Sequence, residues 1–362
     1  MSVNHESINL AYWRGRNVLI TGHSGFKGSW LTFWLNQLGS HVTGLSLAPA
    51  IQPSLFELAG IPTLCKSYLL DIRDKQKLKC VFDKEKPEVV FHLAAQSLVR
   101  PSYVDPVETF STNIMGTINV LETLRLSSSV KAAVMITSDK VYRNHERSSP
   151  YKEHDCLGGH DPYSCSKAAC ELVIDSYRNS YLSEQGVNVA SARAGNVIGG
   201  GDWAIDRLVP DAIRAWSDKR ILSIRNPHSV RPWQHVLEPL RGYIILAQKL
   251  ASVPQLAGAY NFGPDFKDAA SVRHVIEMAQ ASWGYPSDLQ WESDKSKLHE
   301  SVLLRLDTSK SQDDLGIKPV WDIATAIQRT VDWYKKQYQG ENALTLCKAD
   351  IEEFSKNVEV KK

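Results

Sequence analysis

Two hydrophobic rhythms alternate along the first half of the chain. The short apolar run 17–20 reads as a buried parallel strand, and after a glycine turn the apolar spacing predicts an amphipathic helix over 26–37. Further strand-like runs fall at 41–47, 68–70, 89–93, 132–137 and 187–192, with helix-patterned sequence between them. Strands that alternate with helices predict an α/β fold built on a doubly wound parallel sheet. Beyond about Gly199 the rhythm loosens into Gly-, Pro- and Trp-rich stretches, with helices predicted at 208–217, 237–250, 272–282 and 323–337. This predicts a smaller, interleaved C-terminal lobe. Residues 12–196 form the main domain with returning segments near 226–263, and residues 197–225 and 264–340 form the lobe. Residues 341–362 are polar and charge-mixed and read as a peripheral tail.

Composition narrows the functional classes. The chain has 362 residues, 43% hydrophobic and 23% charged, enough for a large core. Its 42 basic and 40 acidic residues leave a net charge of +2, which gives no electrostatic footprint for nucleic acid or an anionic membrane. An anionic ligand must therefore be held by a local site. The six cysteines form no Cys-x-x-Cys pair and no His-containing ligand spacing, so no metal site or disulfide framework is indicated and a cytoplasmic setting is expected. Residues 1–13 lack a basic cap followed by an apolar run, and no stretch of about 18 apolar residues occurs, which speaks against secretion and membrane spanning.

The first chemical signal is the turn Gly22-His23-Ser24-Gly25-Phe26-Lys27-Gly28 between the first strand and the first helix. Glycines let the backbone approach a pyrophosphate, and the helix N-terminus offers unpaired amides to negative charge. The residues expected to hold a dinucleotide here are Gly22, His23, Gly25, Phe26, Lys27 and Gly28. One partner is missing, because the end of the second strand, Gly44-Leu45-Ser46-Leu47-Ala48, carries neither an acid for the adenosine ribose nor an arginine for a 2′-phosphate. Losing such a charged acceptor is worth roughly 1.5–3 kcal/mol. The expected cofactor is therefore NAD, held more loosely than usual. Asp71 and Ile72 follow the third strand, where Asp71 either caps the adenine pocket or N-caps the next helix. Leu93, Ala94, Ala95 and Gln96 follow the fourth, where small residues admit the dinucleotide.

The reacting groups come from two motifs, Thr137-Ser138-Asp139-Lys140-Val141-Tyr142 and Tyr163-Ser164-Cys165-Ser166-Lys167. Tyr-x-x-x-Lys puts both side chains on one helical face, where the ammonium is expected to lower the phenol's pKa so that it accepts a hydroxyl proton as hydride leaves the same carbon.

With these residues in place, the chain resembles the extended short-chain dehydrogenase/reductase family, with its Rossmann-type sheet, and within it the sugar-nucleotide dehydratase branch. The resemblance spans roughly residues 12 to 338 and is carried by 21–31, Pro53-Ser54-Leu55-Phe56-Glu57, 137–142, 192–211 and Arg231-Pro232-Trp233-Gln234-His235-Val236. It implies CDP-glucose as substrate and NAD as cofactor. Tyr163, supported by Lys167, takes the 4-hydroxyl proton as hydride leaves C4; the ketone acidifies C5; water leaves across C5 and C6; hydride returns to C6. Ser138 is implied to hydrogen-bond the C4 oxygen and Asp139 to protonate the departing C6 hydroxyl.

Lys140 stands where related dehydratases carry a glutamate base. For a lysine to be neutral at pH 7 costs about 4–5 kcal/mol. As a cation it can stabilise the C5 enolate or pair with Asp139 without that cost, so both base and electrostatic roles stay open. The resemblance puts Asn196 and Arg231 on the substrate diphosphate, Arg207 and Leu208 at the start of a helix over the nucleotide, and His299 near its ribose. Gln96 and Trp233 complete the expected substrate contacts, with a core role open for Trp203, Trp233 and Tyr260. A 4-epimerase of the same fold has no use for an acid at C6, and a non-catalytic nucleotide sensor has no need of Tyr163 and Lys167. Helices near 106–126 and 163–182 resemble those that pair in homodimers of the family, with burial against the protein's own lobe as the alternative.

Overall fold

A computed structural model describes residues 7–265, 269–284, 289–292 and 303–360. Seven strands form one fully parallel sheet: β1 (Asn17–Thr21), β2 (His41–Ser46), β3 (Lys66–Leu69), β4 (Val89–His92), β5 (Ala132–Ile136), β6 (Asn188–Ala194) and β8 (Ala259–Phe262), in the order β8-β6-β5-β4-β1-β2-β3. The strand ends are in register across the centre, with Thr21 opposite His92, His92 opposite Met135 and Ile136 opposite Ala192. The strands β4, β5 and β6 are buried throughout because helices cover both faces. The crossovers are α1 (Phe26–Gln37), α2 (Lys75–Glu85), α3 (Gly116–Leu126) and α4 (Pro162–Tyr177). The second lobe holds α5 (Leu208–Ser217), a parallel pair of β7 (Leu222–Arg225) with β9 (Leu289–Glu292), α7 (Val272–Trp283) and α8 (Ile323–Tyr338), while α6 (Leu237–Leu250) packs on the sheet. No described helix is long and apolar enough to cross a membrane.

Two expectations are corrected together. The sequence after 341 is a helix, α9 (Ala343–Val360), and not a peripheral tail. Asn342 caps it by accepting from the Thr345 amide at 3.1 Å, and Ala343, Leu346, Cys347, Ile351, Phe354 and Val358 form a buried stripe. Phe354 meets Trp34 of α1 edge-on at 6.0 Å and Trp321 at 5.0 Å, so α9 touches both the first crossover helix and the second lobe. This helps explain why α1 is not amphipathic as expected: every residue from Gly28 to Leu35 is buried, with Phe354 of α9 on Trp34 and the 55–63 segment and α6 against the rest of the helix.

An ion pair at this junction has a pH signature. Asp350 accepts from Arg329 through Oδ1, while its buried Oδ2 has no partner among the described residues. Burial pushes its carboxyl up to about 6, with Arg329 opposing. The folded state therefore holds this proton more tightly than the unfolded chain. The carboxyl's contribution should grow by about 3 kcal/mol as pH falls from above 6 to below 4. Thermal melts of wild type and Asp350→Asn compared from pH 7.5 to 4.5 should show the wild type gaining relative to the variant as pH falls. A constant difference would exclude this linkage.

Candidate active site

The parallel strands deliver their C-terminal ends to one cleft of about 1130 Å³, walled by the turns after β1, β2, β3, β4, β5 and β6 and closed by the second lobe. At its head, Gly22 has a left-handed φ of +81°, and a Cβ there would stand 2.7 Å from the Ala94 amide nitrogen. A Cβ on Gly28 would lie 2.0 Å from the Gly22 carbonyl oxygen. Neither position tolerates a side chain, and the turn stays open to a ligand. Gly25 begins α1 with no side-chain cap, leaving first-turn amides to face an anion. Lys27 lies half-buried on the wall, and desolvation lowers its ammonium to about 8, aided by Arg207 and opposed by Asp139.

His23 does not join this wall. Its ring is buried behind the turn, 2.9 Å from Ser46 Oγ and 2.7 Å from Ser67 Oγ, and desolvation takes it down to about 4. Gly44 makes room for it, since a Cβ there would fall 2.1 Å from the ring. His23 thus buttresses the turn rather than contacting a ligand. Phe26, Ile72, Leu93, Ala94 and Ala95 do line the cleft, as does Asp71. Asp71 is not a helix cap: Asp74 caps α2, accepting from the Lys77 amide, while Asp71 accepts from the Arg73 amide and guanidinium, which hold it below the usual carboxylate range. At the end of β2 the wall is Ser46, Leu47 and Ala48, with no carboxylate.

The reacting groups converge from β5 and α4. Asp161 caps α4 by accepting from the Ser164 amide, and Pro162 opens its first turn, so Tyr163 and Lys167 project from adjacent turns. Lys167 Nζ donates to the Ile136 carbonyl at 3.2 Å, tying the helix to the end of β5. The expected lowering of the Tyr163 phenol is reversed: burial pushes it up to about 12, with Ser138 and Arg207 opposing and Asp139 adding to the rise. Lys167 is itself depressed by burial. Ser138 Oγ donates to Asp139 Oδ1 at 3.0 Å, and Asp139 Oδ2 is buried with no hydrogen-bond partner among the described residues. Lys140 stands half-buried on the wall and makes no ion pair with Asp139, which removes one of its expected roles.

Toward the second lobe, Asn196, Arg207, Leu208, Arg231 and Trp233 share the same cleft. The Asn196 side-chain amide has no partner among the described residues. Arg207 precedes α5 and pairs with Asp202 at 2.8 Å. Arg231 is buried, with Nη1 donating to the Val230 carbonyl. Trp233 serves both wall and core, its indole donating to the Ala270 carbonyl, whereas Tyr260 is core alone. Gln96 reaches the wall, but its amide is spent on its own loop, donating to the Leu98 carbonyl and Thr109 Oγ1 and accepting from the Leu98 amide. His299 lies outside the described residues. Sequence reasoning missed Gly195: a Cβ there would meet Pro232 Cγ at 2.4 Å and Asp139 Oδ2 at 3.3 Å, so only glycine leaves the carboxylate in place. It also missed Glu171, although its position one turn after Lys167 is visible in the motif.

A ligand turn at the sheet edge, facing a buried tyrosine, a lysine and an unpartnered acid, defines a nucleotide-dependent enzyme acting on a hydroxyl-bearing substrate. The sequence profile of the GDP-mannose 4,6 dehydratase family matches residues 19–337, and the chain belongs to that family. It is 46% identical over 354 residues to CDP-glucose 4,6-dehydratase of Salmonella typhimurium, covering 96% of this chain and 98% of the relative. It is 26% identical over 340 residues to dTDP-glucose 4,6-dehydratase of Haemophilus influenzae, covering 88% of this chain and 97% of the relative. Among solved structures, dTDP-glucose 4,6-dehydratase of Bacillus anthracis in complex with NAD superimposes with a TM-score of 0.77 at 20% identity, covering 91% of this chain and 100% of the other. UDP-glucose 4-epimerase of Thermotoga maritima does so with 0.78 at 21%, covering 89% and 99%; both show the shared fold.

Gly195→Ala should push Pro232 and Asp139 out of place and lower turnover about 100-fold, since displacements of about 1 Å at reacting groups cost on that order, and the overpacked ring should also lower the thermal midpoint. Steady-state kinetics with a melt decide it, and wild-type turnover in the alanine variant would refute the packing argument.

Proposed function

We propose that this protein dehydrates CDP-glucose to CDP-4-keto-6-deoxyglucose with NAD as cofactor. The observation that carries the reading is the buried, unpartnered Oδ2 of Asp139 beside Tyr163, because an enzyme that only exchanges hydride at C4 has no use for an acid there. The 46% identity to CDP-glucose 4,6-dehydratase supports the cytidine nucleotide. The residues fit a dinucleotide: Gly22 and Gly28 let the turn pack directly on the Ala94 backbone and on itself along the cleft wall, the first-turn amides of α1 meet the pyrophosphate, and Lys27 and Lys167 supply positive charge. NAD bound there would supply a reversible hydride acceptor facing the sugar.

The protein's own residues handle protons and charge. Tyr163, as phenolate, accepts the 4-hydroxyl proton; its burial means that Lys167 and the bound ligands must offset a phenol held near 12. Ser138, free to turn from Asp139 Oδ1, donates to the C4 oxygen. The ketone acidifies C5, whose proton passes to water in the cleft while Lys140 offers positive charge to the enolate; water gives a proton back to C5 when hydride returns to C6. Asp139, protonated at Oδ2, gives its proton to the C6 hydroxyl, which departs as water. Asn196 and Arg231 hold the diphosphate, Arg231 through charged, directional contacts. Arg207 and Leu208 close over the nucleotide.

A second copy of the chain covers the outward face formed by residues 106–126 and 162–182. Val107 is 76% exposed, Met115 50% and Leu172 62%, an apolar set that a homodimer would bury. Light scattering at micromolar concentration should give about twice the monomer mass; a monomer would remove this part of the proposal.

Purified protein mixed with CDP-glucose should lose water from the sugar, seen by mass, with solvent hydrogen appearing at C5. Added NAD should stimulate the reaction, given the missing acid at the end of β2. Asp139→Asn should keep C4 oxidation and slow dehydration roughly 100- to 1000-fold. A product with the sugar formula unchanged would instead make the enzyme an epimerase, and no reaction with any nucleotide sugar would make it a sensor.

A further inference from the structure

We infer that Glu171 is a positioning residue, which through Thr137 and Arg193 locks the strand end carrying Ser138, Asp139 and Lys140 to the helix carrying Tyr163 and Lys167. Glu171 lies on α4 one turn beyond Lys167, and neither it nor Arg193 lines the cleft, so neither touches substrate. Both side chains are 4% exposed. Glu171 Oε1 accepts from Thr137 Oγ1 at 2.5 Å, and Oε2 accepts from Ser191 Oγ and Arg193 Nη2, each at 2.7 Å. Arg193 Nη1 donates onward to Tyr142 Oη and to the Glu153 carbonyl, both at 2.9 Å, and Tyr142 Oη donates to Asn261 Oδ1 at 2.7 Å. One carboxylate thus braces β5, β6, the 139–142 turn and, through Asn261, β8.

The geometry gives α4 two grips on the same strand end. Lys167 holds the Ile136 carbonyl, and one helical turn later Glu171 holds the hydroxyl of the next residue, Thr137. Between them they fix how far the Ser138–Lys140 turn stands from Tyr163. A buried ion pair is weak evidence of stability, because desolvating both charges offsets their attraction. Fixed geometry is the better account of its presence, and hydride removal at C4 followed by proton delivery to the C6 hydroxyl needs that geometry.

This inference rests on the proposed reaction, and the test separates the two. Thr137→Val is nearly isosteric, removes only the tether and leaves the Glu171–Arg193 pair intact; Thr137→Ser keeps the hydroxyl. With CDP-glucose and NAD, Thr137→Val should lower kcat about 10- to 100-fold. Its KM should stay within about twofold, its thermal midpoint should fall because Glu171 Oε1 loses its donor, and Thr137→Ser should restore both kcat and the midpoint. In single turnovers, reduced-nicotinamide absorbance should appear correspondingly more slowly in the valine variant. Glu171→Gln should lose kcat similarly, and the double variant should be no worse than the more impaired single one. A valine variant within about threefold of wild type, a loss that serine fails to rescue, or additive losses would each overturn the inference. A wild-type protein inert toward CDP-glucose would overturn the functional reading and this inference with it, whereas an active wild type matched by Thr137→Val overturns the inference alone.

Discussion

A parallel sheet sends every strand toward the same edge, and this constraint organises all the chemistry of the protein. Because Thr21, His92, Met135 and Ser191 stand in one register, the glycine turn, the 93–96 loop, Ser138–Lys140 and Gly195–Asn196 emerge side by side. None of these segments is near the others in sequence. What makes them a site is the hydrogen-bonded ladder beneath, whose central strands are buried on both faces, so that a slip in register would displace every packed side chain along them. The second lobe then needs only to close one side of a cleft whose reactive groups are already set.

Local signals were read well because their physics is local. The bounds of α1, α5 and α6 and of the central strands lie in the structure at or within a few residues of where periodicity puts them. The glycine turn and the Tyr163–Lys167 face were legible for the same reason. What failed depended on partners distant in sequence. The 343–358 stripe has a helical period, but its burial is set by Trp34 and Trp321, which no window around it contains. His23 looked like a ligand residue until Gly44, on the neighbouring strand, proved to make a pocket for its ring. Asp71 and Asp74 are both plausible caps by type, and only the backbone decides between them.

The electrostatics reveal the same division. Sequence puts a lysine beside Tyr163 and suggests an acidified phenol, yet the dominant influence on that phenol is how little water reaches it. Burial also depresses Lys27 and Lys167, so the cleft holds its cations at a cost. An anionic ligand relieves that cost by holding Lys27 and Lys167 as cations, and a cationic Lys167 favours the Tyr163 phenolate. Recognition and activation are thereby coupled: the groups that make the free site electrostatically strained are those that a sugar nucleotide and its cofactor neutralise.

The docking of α9 carries a consequence for how the fold assembles. Trp34 belongs to the first crossover helix, yet a ring that packs on it, Phe354, comes from a helix that lies beyond every strand of the sheet in the chain. A contact of that span closes a very long loop, so it forms only once the intervening elements have brought its two ends together. The face of the first helix is therefore completed after the sheet it serves.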